Sequence, residues 1–119
     1  MNTKKSHQDW RSMCPISTAL DAIGDKWSLL IIRDLIIQGP RTYSQLLDSP
    51  ERISTNILAT RLELLISLNL IERTKPQASS RNNAFQVTNR GAQLKPVIQA
   101  LGHWASRNLT DFHSDMLKM

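Results

Sequence analysis

The fold is decided by residues 44–88, which read SQLLDSPERISTNILATRLELLISLNLIERTKPQASSRNNAFQVT. A short helical pattern over residues 45–48 is followed, after a turn, by a longer one that begins at Ser54 or Thr55 and ends at Leu68. Two helices joined by so short a turn have the form of a helix-turn-helix. In many proteins the second helix of this motif enters the DNA major groove.

A β-hairpin is predicted directly after the longer helix. Asn69 tolerates the left-handed backbone that closes helices. Residues 70–75 (LIERTK) and 84–88 (AFQVT) then read as short strands. The segment between them is rich in Pro, Ser, Asn and Gln, which indicates a protruding loop. A hairpin in this position is the wing of a winged helix.

Two helices and a short extended segment precede this stretch. Apolar residues with a serine or threonine cap predict a helix over residues 17–23, and Gly24 is placed to end it. Asp25 can cap the next helix, residues 26–38, which carries apolar side chains around nearly its whole circumference. This pattern is typical of a helix at the centre of a domain. Residues 41–43 can form a short strand before Ser44 caps the helix over 45–48.

A last long helix carries an apolar stripe with residues recurring every three or four positions. Thr88 is placed to cap it. Pro96 either kinks this helix or marks its true start, because proline removes one backbone hydrogen bond. The stripe needs a packing partner. The complete order of elements predicts a mainly α protein with a small β-hairpin wing, a winged helix-turn-helix.

Size and charge agree with one small domain that binds a polyanion. The chain has 119 residues, of which 40% are hydrophobic, and a formal net charge of +5. The calculated pI is about 9.9. The basic residues are scattered, so the charge is expected on a folded surface, where it favours nucleic acid as a partner. No apolar run approaches the roughly 20 residues of a membrane span and no secretion signal is evident, so we expect a cytoplasmic protein.

The longer helix of the motif has one polar face. At 100° per residue its small polar side chains fall within an arc of about 140°, and leucines and isoleucines occupy the opposite arc. Small hydroxyl and amide groups can approach base edges closely, although a solvated helix face has the same appearance. The basic hairpin beside it suits contact with phosphate and favours DNA. The candidate DNA-binding residues are Ser44, Thr55, Asn56, Thr60, Arg61, Arg73, Lys75 and Arg81.

Arg61 has a second interpretation. The helical projection places it within the apolar arc, where an unpaired guanidinium would be costly. Asp34 interrupts the apolar helix over residues 26–38 in a similar way. An ion pair between Arg61 and Asp34 that links the two helices is therefore our preferred hypothesis, with DNA contact as the alternative.

Other kinds of site find little support in the sequence. His7, His103 and His113 have no metal-ligand spacing, so no metal and no cofactor are expected. A nucleophile elbow and a phosphate-binding loop are both absent, which argues against an enzyme. The single cysteine, Cys14, excludes an intrachain disulfide. It is either a buried small hydrophobe or a reactive thiol that senses a signal.

Several segments together resemble the HxlR-type family of bacterial regulators. They are Cys14-Pro15-Ile16, ALDAIGDKWSLLIIRDL at 19–35, GPRTYSQL at 39–46, ISTNILATRLELL at 53–65 and LIERT at 70–74. The resemblance implies a homodimeric winged helix that binds palindromic promoter DNA as a repressor or an activator. It also implies that Cys14 occupies the position at which some relatives sense oxidants or electrophiles.

In that family the N-terminal segment and the last helix form the dimer interface, which would cover the apolar stripe. The implied organisation is a flexible arm over residues 1–13, a winged helix-turn-helix domain with its dimerisation helix over 14–109, and a tail over 110–119. The remaining alternative is a winged-helix module that binds another protein in place of DNA. The expected interface residues are Leu94, Val97, Ile98, Leu101 and Trp104.

Overall fold

The structure, a computed structural model, describes residues 10–76 and 83–119. Three short strands in these residues form an antiparallel sheet in which Ala84–Val87 lies between Arg41–Thr42 and Ile71–Arg73, and helices pack around this sheet. The elements confirm the predicted mainly α winged helix. In chain order they are α1 (Pro15–Ile23), α2 (Ser28–Gln38), β1 (Arg41–Thr42), α3 (Tyr43–Leu47), α4 (Thr55–Ser67), β2 (Ile71–Arg73), β3 (Ala84–Val87), α5 (Asn89–Ala92) and α6 (Lys95–Asn108).

Local caps set the ends of α2 and α4. The Asp25 carboxylate accepts hydrogen bonds from the backbone N–H groups of Trp27, at 2.9 Å, and Ser28, at 3.0 Å. These are donors that the helix itself leaves unpaired. Ser54 accepts from the Ile57 N–H at 3.3 Å, and Asn69 follows α4 with a φ of 60°. The caps predicted at Asp25 and Asn69 are therefore confirmed, and of the two predicted starts of α4, Thr55 is correct, with Ser54 as its cap.

The start of α3 differs from the prediction. Thr42, and not Ser44, is the cap: its hydroxyl accepts from the Gln45 N–H at 3.2 Å, and the Gln45 side chain accepts from the Thr42 N–H at 2.9 Å. This reciprocal pair satisfies two backbone N–H donors at once. Ser44 cannot form such a pair, because the residue three positions after it is Leu47 and not a glutamine or glutamate. Ser44 lies exposed in the first turn of α3.

Helix α2 begins at Ser28, two residues after its predicted start, and two further boundary differences come from proline. α1 begins at Pro15, two residues before the predicted start, and Pro96 lies in the first turn of α6. A missing N–H costs nothing there because the first turn has no intrahelical acceptor for it. Of the two alternatives for Pro96, the true helix start is correct. Thr88 caps the separate helix α5, accepting from the Gly91 N–H at 3.1 Å.

The core lies between α2, α4 and the sheet. Ile32, Leu35, Leu58, Leu65 and Ile71 are almost completely buried and belong to one apolar cluster. Helix α2 packs on both β3 and α6, as expected for a central helix. Its burial is not complete all round, because Ile37 near its C-terminus is 73% exposed.

The C-terminal residues fold back on α6. The Met119 side chain lies directly against Gly102 and leaves no room for a larger side chain there, so the end of the chain packs against the middle of this helix. Among residues 10–76 and 83–119, no helix combines the length and apolar character that a membrane span requires.

Candidate nucleic-acid interface

The predicted polar arc of α4 is a real exposed face. Thr55, Asn56, Ala59, Thr60 and Glu63 are all exposed on it. The opposite side buries Leu58, Leu62 and Leu65 in the core, which fixes how α4 is rotated about its axis. Ile57 differs from its prediction, because it lies at the edge of the apolar arc and is exposed. The face ends at Ser67, which is half-buried.

The first turns of α4 are held in place by α3. The Tyr43 hydroxyl donates to the backbone oxygen of Thr55 at 2.7 Å. The Thr60 hydroxyl donates to the Asn56 backbone oxygen at 2.9 Å, which leaves its lone pairs free to accept another hydrogen bond. Asn56 itself exposes an amide with both donors and an acceptor. This role of Tyr43 was not predicted. The hydroxyl of an aromatic residue in a helix that packs on the core was the feature of the sequence that could have indicated it.

The turn between α3 and α4 is tied to α2. Nη1 and Nη2 of Arg33 bind Oε2 and Oε1 of Glu51 at 2.9 and 2.8 Å, and the Ser49 hydroxyl donates to Glu51 at 2.7 Å. The hydrogen bonds from Arg33 lower the pKa of Glu51 to about 2. The same contact raises the pKa of Arg33 above its ordinary value. This bidentate ion pair, the Arg33–Glu51 clamp, was not predicted, because nothing local marks either residue.

Arg52 supplies an unpredicted cation within this turn. Its backbone adopts the left-handed conformation with a φ of 59°, and its side chain is exposed immediately before α4. A non-glycine residue in this conformation is uncommon and is typical of turns with a specific role.

The predicted ion pair between Arg61 and Asp34 is wrong. Nε of Arg61 binds Oδ2 of Asp25 at 2.9 Å, with side chains 29% and 23% exposed, and Asp34 pairs with Arg33 at 2.8 Å. Arg61 therefore joins α4 to the N-terminal end of α2. Asp25 lies before the first turn of α2 and Asp34 lies in its second turn, on the order of 10 Å further along the chain direction, so Arg61 can reach only one.

Asp25 stays ionised in this position. Burial raises its pKa, but hydrogen bonds from the Ser28 side chain and from the N–H groups of Trp27 and Ser28, together with Arg61, lower it overall. The pair supports the interpretation of Arg61 as a structural link between helices.

The wing contributes two basic side chains among the residues that the structure describes. Arg73 and Lys75 are exposed, and Arg73 lies with its guanidinium carbon 5.6 Å from the centre of the Phe85 ring. The Lys75 N–H donates to Oδ1 of Asn83 at 2.8 Å, which closes the base of the hairpin. The predicted contact Arg81 lies outside the described residues.

The expected interface residues on α6 divide into two groups. Val97, Leu101 and Trp104 are exposed, Trp104 to 58%, whereas Leu94 and Ile98 pack partly against the core of the same chain. Helix α1 exposes further large apolar side chains, Ile16 and Leu20 among them.

Cys14 is exposed at the cap of α1, which does not match the buried alternative. Its backbone oxygen accepts from the Thr18 N–H at 2.9 Å. Nearby in the sequence, Arg11 forms an ion pair with Asp21, and Nζ of Lys26 lies 5.4 Å from the centre of the Trp27 ring. Within the described part of the chain, no group of three or more His, Cys, Asp or Glu side chains is arranged to hold a metal.

Comparison with known proteins adds a family and a set of relatives. The family model described as HxlR-like helix-turn-helix matches residues 22–113. The uncharacterized HTH-type transcriptional regulator sll1512 of Synechocystis is 34% identical over 75% of this chain and 65% of its own length. The HTH-type transcriptional regulator YodB of Bacillus subtilis is 28% identical over 81% of this chain and 86% of its own. The chain thus spans about two thirds of one relative and most of the other.

Solved structures agree with this assignment. The reduced form of YodB superposes with a TM-score of 0.67 at 28% identity, covering 82% of this chain and 95% of that chain. The quinone-bound form of YodB gives a TM-score of 0.66 at 30% identity, over 80% of this chain and 99% of that chain. The crystal structure of PA1607 gives 0.72 at 29% identity, over 85% and 69% of the two chains.

Proposed function

The chain belongs to the HxlR-like helix-turn-helix family of transcriptional regulators, and from this premise we propose that it binds palindromic promoter DNA as a homodimer. In that state it represses or activates transcription and catalyses no reaction. Residues 14–109 form the unit that binds DNA and dimerises, and residues 110–119 are an appended tail.

One observation carries this proposal: the exposed polar face at the start of α4, held from three sides. Tyr43 holds the first turn, the Arg33–Glu51 clamp holds the preceding turn, and the Arg61–Asp25 pair holds the middle of the helix. A reading surface fixed before binding loses little conformational entropy when DNA arrives. Recognition helices use their N-terminal residues in this way.

The residues divide between reading bases and binding phosphate. The Asn56 amide matches the donor and acceptor pair of adenine, and Thr55 and Thr60 offer hydroxyls on the same face. Ser44, Arg52, Arg73 and Lys75 lie exposed on the turn, α3 and the wing, where they suit phosphate oxygens. In a symmetric dimer, two such faces would reach major grooves about 34 Å apart.

The test is binding to the promoter DNA adjoining the gene itself, measured by fluorescence anisotropy at stated salt. A shuffled duplex of the same length and composition is the control. We expect the promoter to bind about a thousandfold more tightly. Equal affinity for both duplexes, unchanged by Lys75→Ala, would contradict the proposal and favour the alternative, a winged-helix module that binds another protein.

We also propose that Cys14 makes the regulator responsive to oxidants. Its thiol is exposed, and the relative YodB has been solved in reduced, quinone-bound and diamide-treated forms. Diamide would take two electrons and two protons from two Cys14 thiols, forming one disulfide between protomers and the reduced hydrazine. Non-reducing gels should show a linked dimer in the wild type and none in Cys14→Ser. A diamide-treated wild type that runs as a monomer would contradict this role.

A further inference from the structure

A cavity that is open to solvent on one side lies between α2, α6 and the C-terminal residues. Its volume is about 810 Å³. This is within the range of sites that enclose small organic molecules. Each of the three elements contributes apolar side chains to its wall: Leu29 and Ile36 from α2, Ile98 and Ala105 from α6, and Met116 and Leu117 from the tail.

The cavity occupies a different face of α6 from the exposed apolar stripe. At 100° per residue, Ile98, Gly102 and Ala105 project toward α2, whereas Val97 and Trp104 project on the other side of the helix. Leu101 borders both faces. A partner protomer on the stripe therefore leaves most of the cavity wall untouched.

Two cations stand among the apolar lining residues. Arg33 lines the cavity from α2 and Lys95 lines it from the first turn of α6; Asp115, on the tail, is the acid among the described lining residues. Lys95 forms no ion pair with any residue in 10–76 or 83–119. The Arg33 guanidinium is already bound by Asp34 and Glu51, so the ammonium group of Lys95 is the cation left to a ligand. An apolar cavity with an ammonium group at its edge is complementary to an apolar molecule that carries one negative charge.

We propose that this cavity is the effector site of the protein, that its ligand is a small apolar carboxylic acid, and that Arg33 transmits its binding to the DNA-binding surface. Only the last step rests on the proposed DNA-binding function. The binding of the acid does not.

Arg33 is part of both the cavity wall and the clamp that holds the turn before α4. It lines the cavity and at the same time forms the clamp with Glu51, with a further contact from Nη2 to the Ser49 hydroxyl at 3.5 Å. A carboxylate that approaches the guanidinium competes with Asp34 on the same helix and with Glu51, whose side chain is partly exposed and can turn into solvent. A ligand shifts a conformational equilibrium by its difference in affinity for the two states. The acid thus favours the state in which the turn before α4 is released.

Binding is tested with 1-anilinonaphthalene-8-sulfonate, an apolar aromatic anion that fluoresces when it is shielded from water. Ala105→Phe fills the cavity, and Ala92→Phe is the matched control, since Ala92 is exposed on α5 and is not part of the cavity wall. We expect saturable binding of one dye per chain in the wild type and the control, weakened at least about tenfold by Ala105→Phe. Equal binding by all three proteins would overturn the site.

The required charge is tested by competition between decanoate and 1-decanol, which share an alkyl chain. We expect decanoate to displace the dye about tenfold more effectively, and Lys95→Gln, a surface change that keeps the fold, to remove most of that difference. Equal competition by acid and alcohol would overturn the assignment to carboxylic acids. Dilution series followed by sedimentation show whether dimerisation removes the dye site. If it does, a second copy of the chain occupies the cavity, and the effector site would be overturned even though decanoate competes.

Coupling is first tested without DNA, by hydrogen exchange at the Arg52 amide, which donates to the Ser49 oxygen at 3.0 Å within the turn. Saturating decanoate should accelerate its exchange several-fold, with the Ile31 amide of α2 as the internal control. Unchanged exchange at Arg52 with decanoate bound would overturn the coupling. These readouts stand even if the promoter experiment fails, so the two failures are distinguishable.

The last measurement joins the two sites. Decanoate should weaken promoter binding about tenfold in the wild type and in Asp48→Asn, which removes a nearby exposed charge. In Glu51→Gln the effect should largely disappear, because the clamp is already weakened. An equal effect of decanoate in all three proteins would show that Arg33 and Glu51 do not carry the coupling.

Discussion

Asp25 has two functions at the start of α2. It caps the helix through the N–H groups of Trp27 and Ser28, and it pairs with Arg61 of α4. The two contacts share one carboxylate, so a single residue determines both where α2 begins and how α4 lies against it.

Substitution of Asp25 should therefore cost more than substitution of its partner. We expect Asp25→Ala to lower the free energy of unfolding by about 2 kcal/mol, through loss of the cap and of a partly buried ion pair. Arg61→Ala should cost about 1 kcal/mol. Urea denaturation of both single variants and the double variant measures this, and the double variant should lose less than the sum. Additive costs would show that the pair contributes nothing.

Asn69 contributes to stability through its left-handed backbone conformation. Its φ of 60° follows α4 directly. Asn69→Ala should lower the free energy of unfolding by about 1 kcal/mol, because alanine is strained in the left-handed conformation and lacks the amide that lets asparagine adopt it. Asn69→Gly should not lower it, because glycine has no Cβ atom. Thermal unfolding measures both. Asn89→Ala, at an exposed position of α5, is the control and should change stability by less than about 0.5 kcal/mol.

At the scale of elements, α4 and the wing are expected to perform different tasks in DNA binding. Asn56→Ala on α4 should reduce the discrimination between promoter and single-base variants by about 1–3 kcal/mol. Lys75→Ala on the wing should weaken binding to all duplexes alike and make it less dependent on salt. Anisotropy titrations across salt concentrations measure both effects. If the two substitutions had the same effect, this division between reader and anchor would be wrong.

The turn between α3 and α4 should make stability depend on pH. The pKa of Glu51 is about 2 in the folded chain, against an ordinary value of 4.5, because Arg33 stabilises the carboxylate. A lowered folded pKa means that the unfolded chain takes up the proton first. The stabilisation is therefore complete above about pH 5 and is lost as the pH falls toward 2.

Melting temperatures at pH 7 and pH 3 test this. Glu51→Gln should lower the melting temperature at pH 7 and reduce the further loss on acidification, while Asp48→Asn serves as the charge-matched control. An acid-induced loss in Glu51→Gln as large as in the wild type would exclude Glu51 as its source. Asp25, whose pKa is also lowered, contributes to the remaining loss in the same direction.

At the scale of the whole molecule, the exposed side of α6 should determine the oligomeric state. Trp104→Glu places a charge where the proposed dimer buries an aromatic ring, and we expect dimer dissociation to increase at least about thirtyfold. Sedimentation over a concentration series measures this. His103→Glu, exposed on a different side of the same helix, should leave the dimer intact. A dimer as stable in Trp104→Glu as in the wild type would place the interface elsewhere.

Much of the fold could be predicted because the sequence patterns that determine it act over only a few residues. Caps at Asp25 and Asn69 act on the backbone within three residues, so their pattern in the sequence indicates helix ends directly. The exposed face of α4 follows from helical periodicity alone. The start of α3 was missed for a similar local reason, since Thr42 and Gln45 form a reciprocal pair that competes with Ser44.

The sequence by itself thus determined the order of elements as far as β3, the winged helix, the exposed face of α4 and the apolar stripe of α6, because each depends on residues that are close in the chain. Only the tertiary structure decided that Arg61 pairs with Asp25, that Arg33 holds Glu51, that the stripe divides into a packed and an exposed side, and that α2, α6 and the tail line a half-open cavity. These features depend on distances between elements that are far apart in sequence. No local preference for helix or strand contains that information.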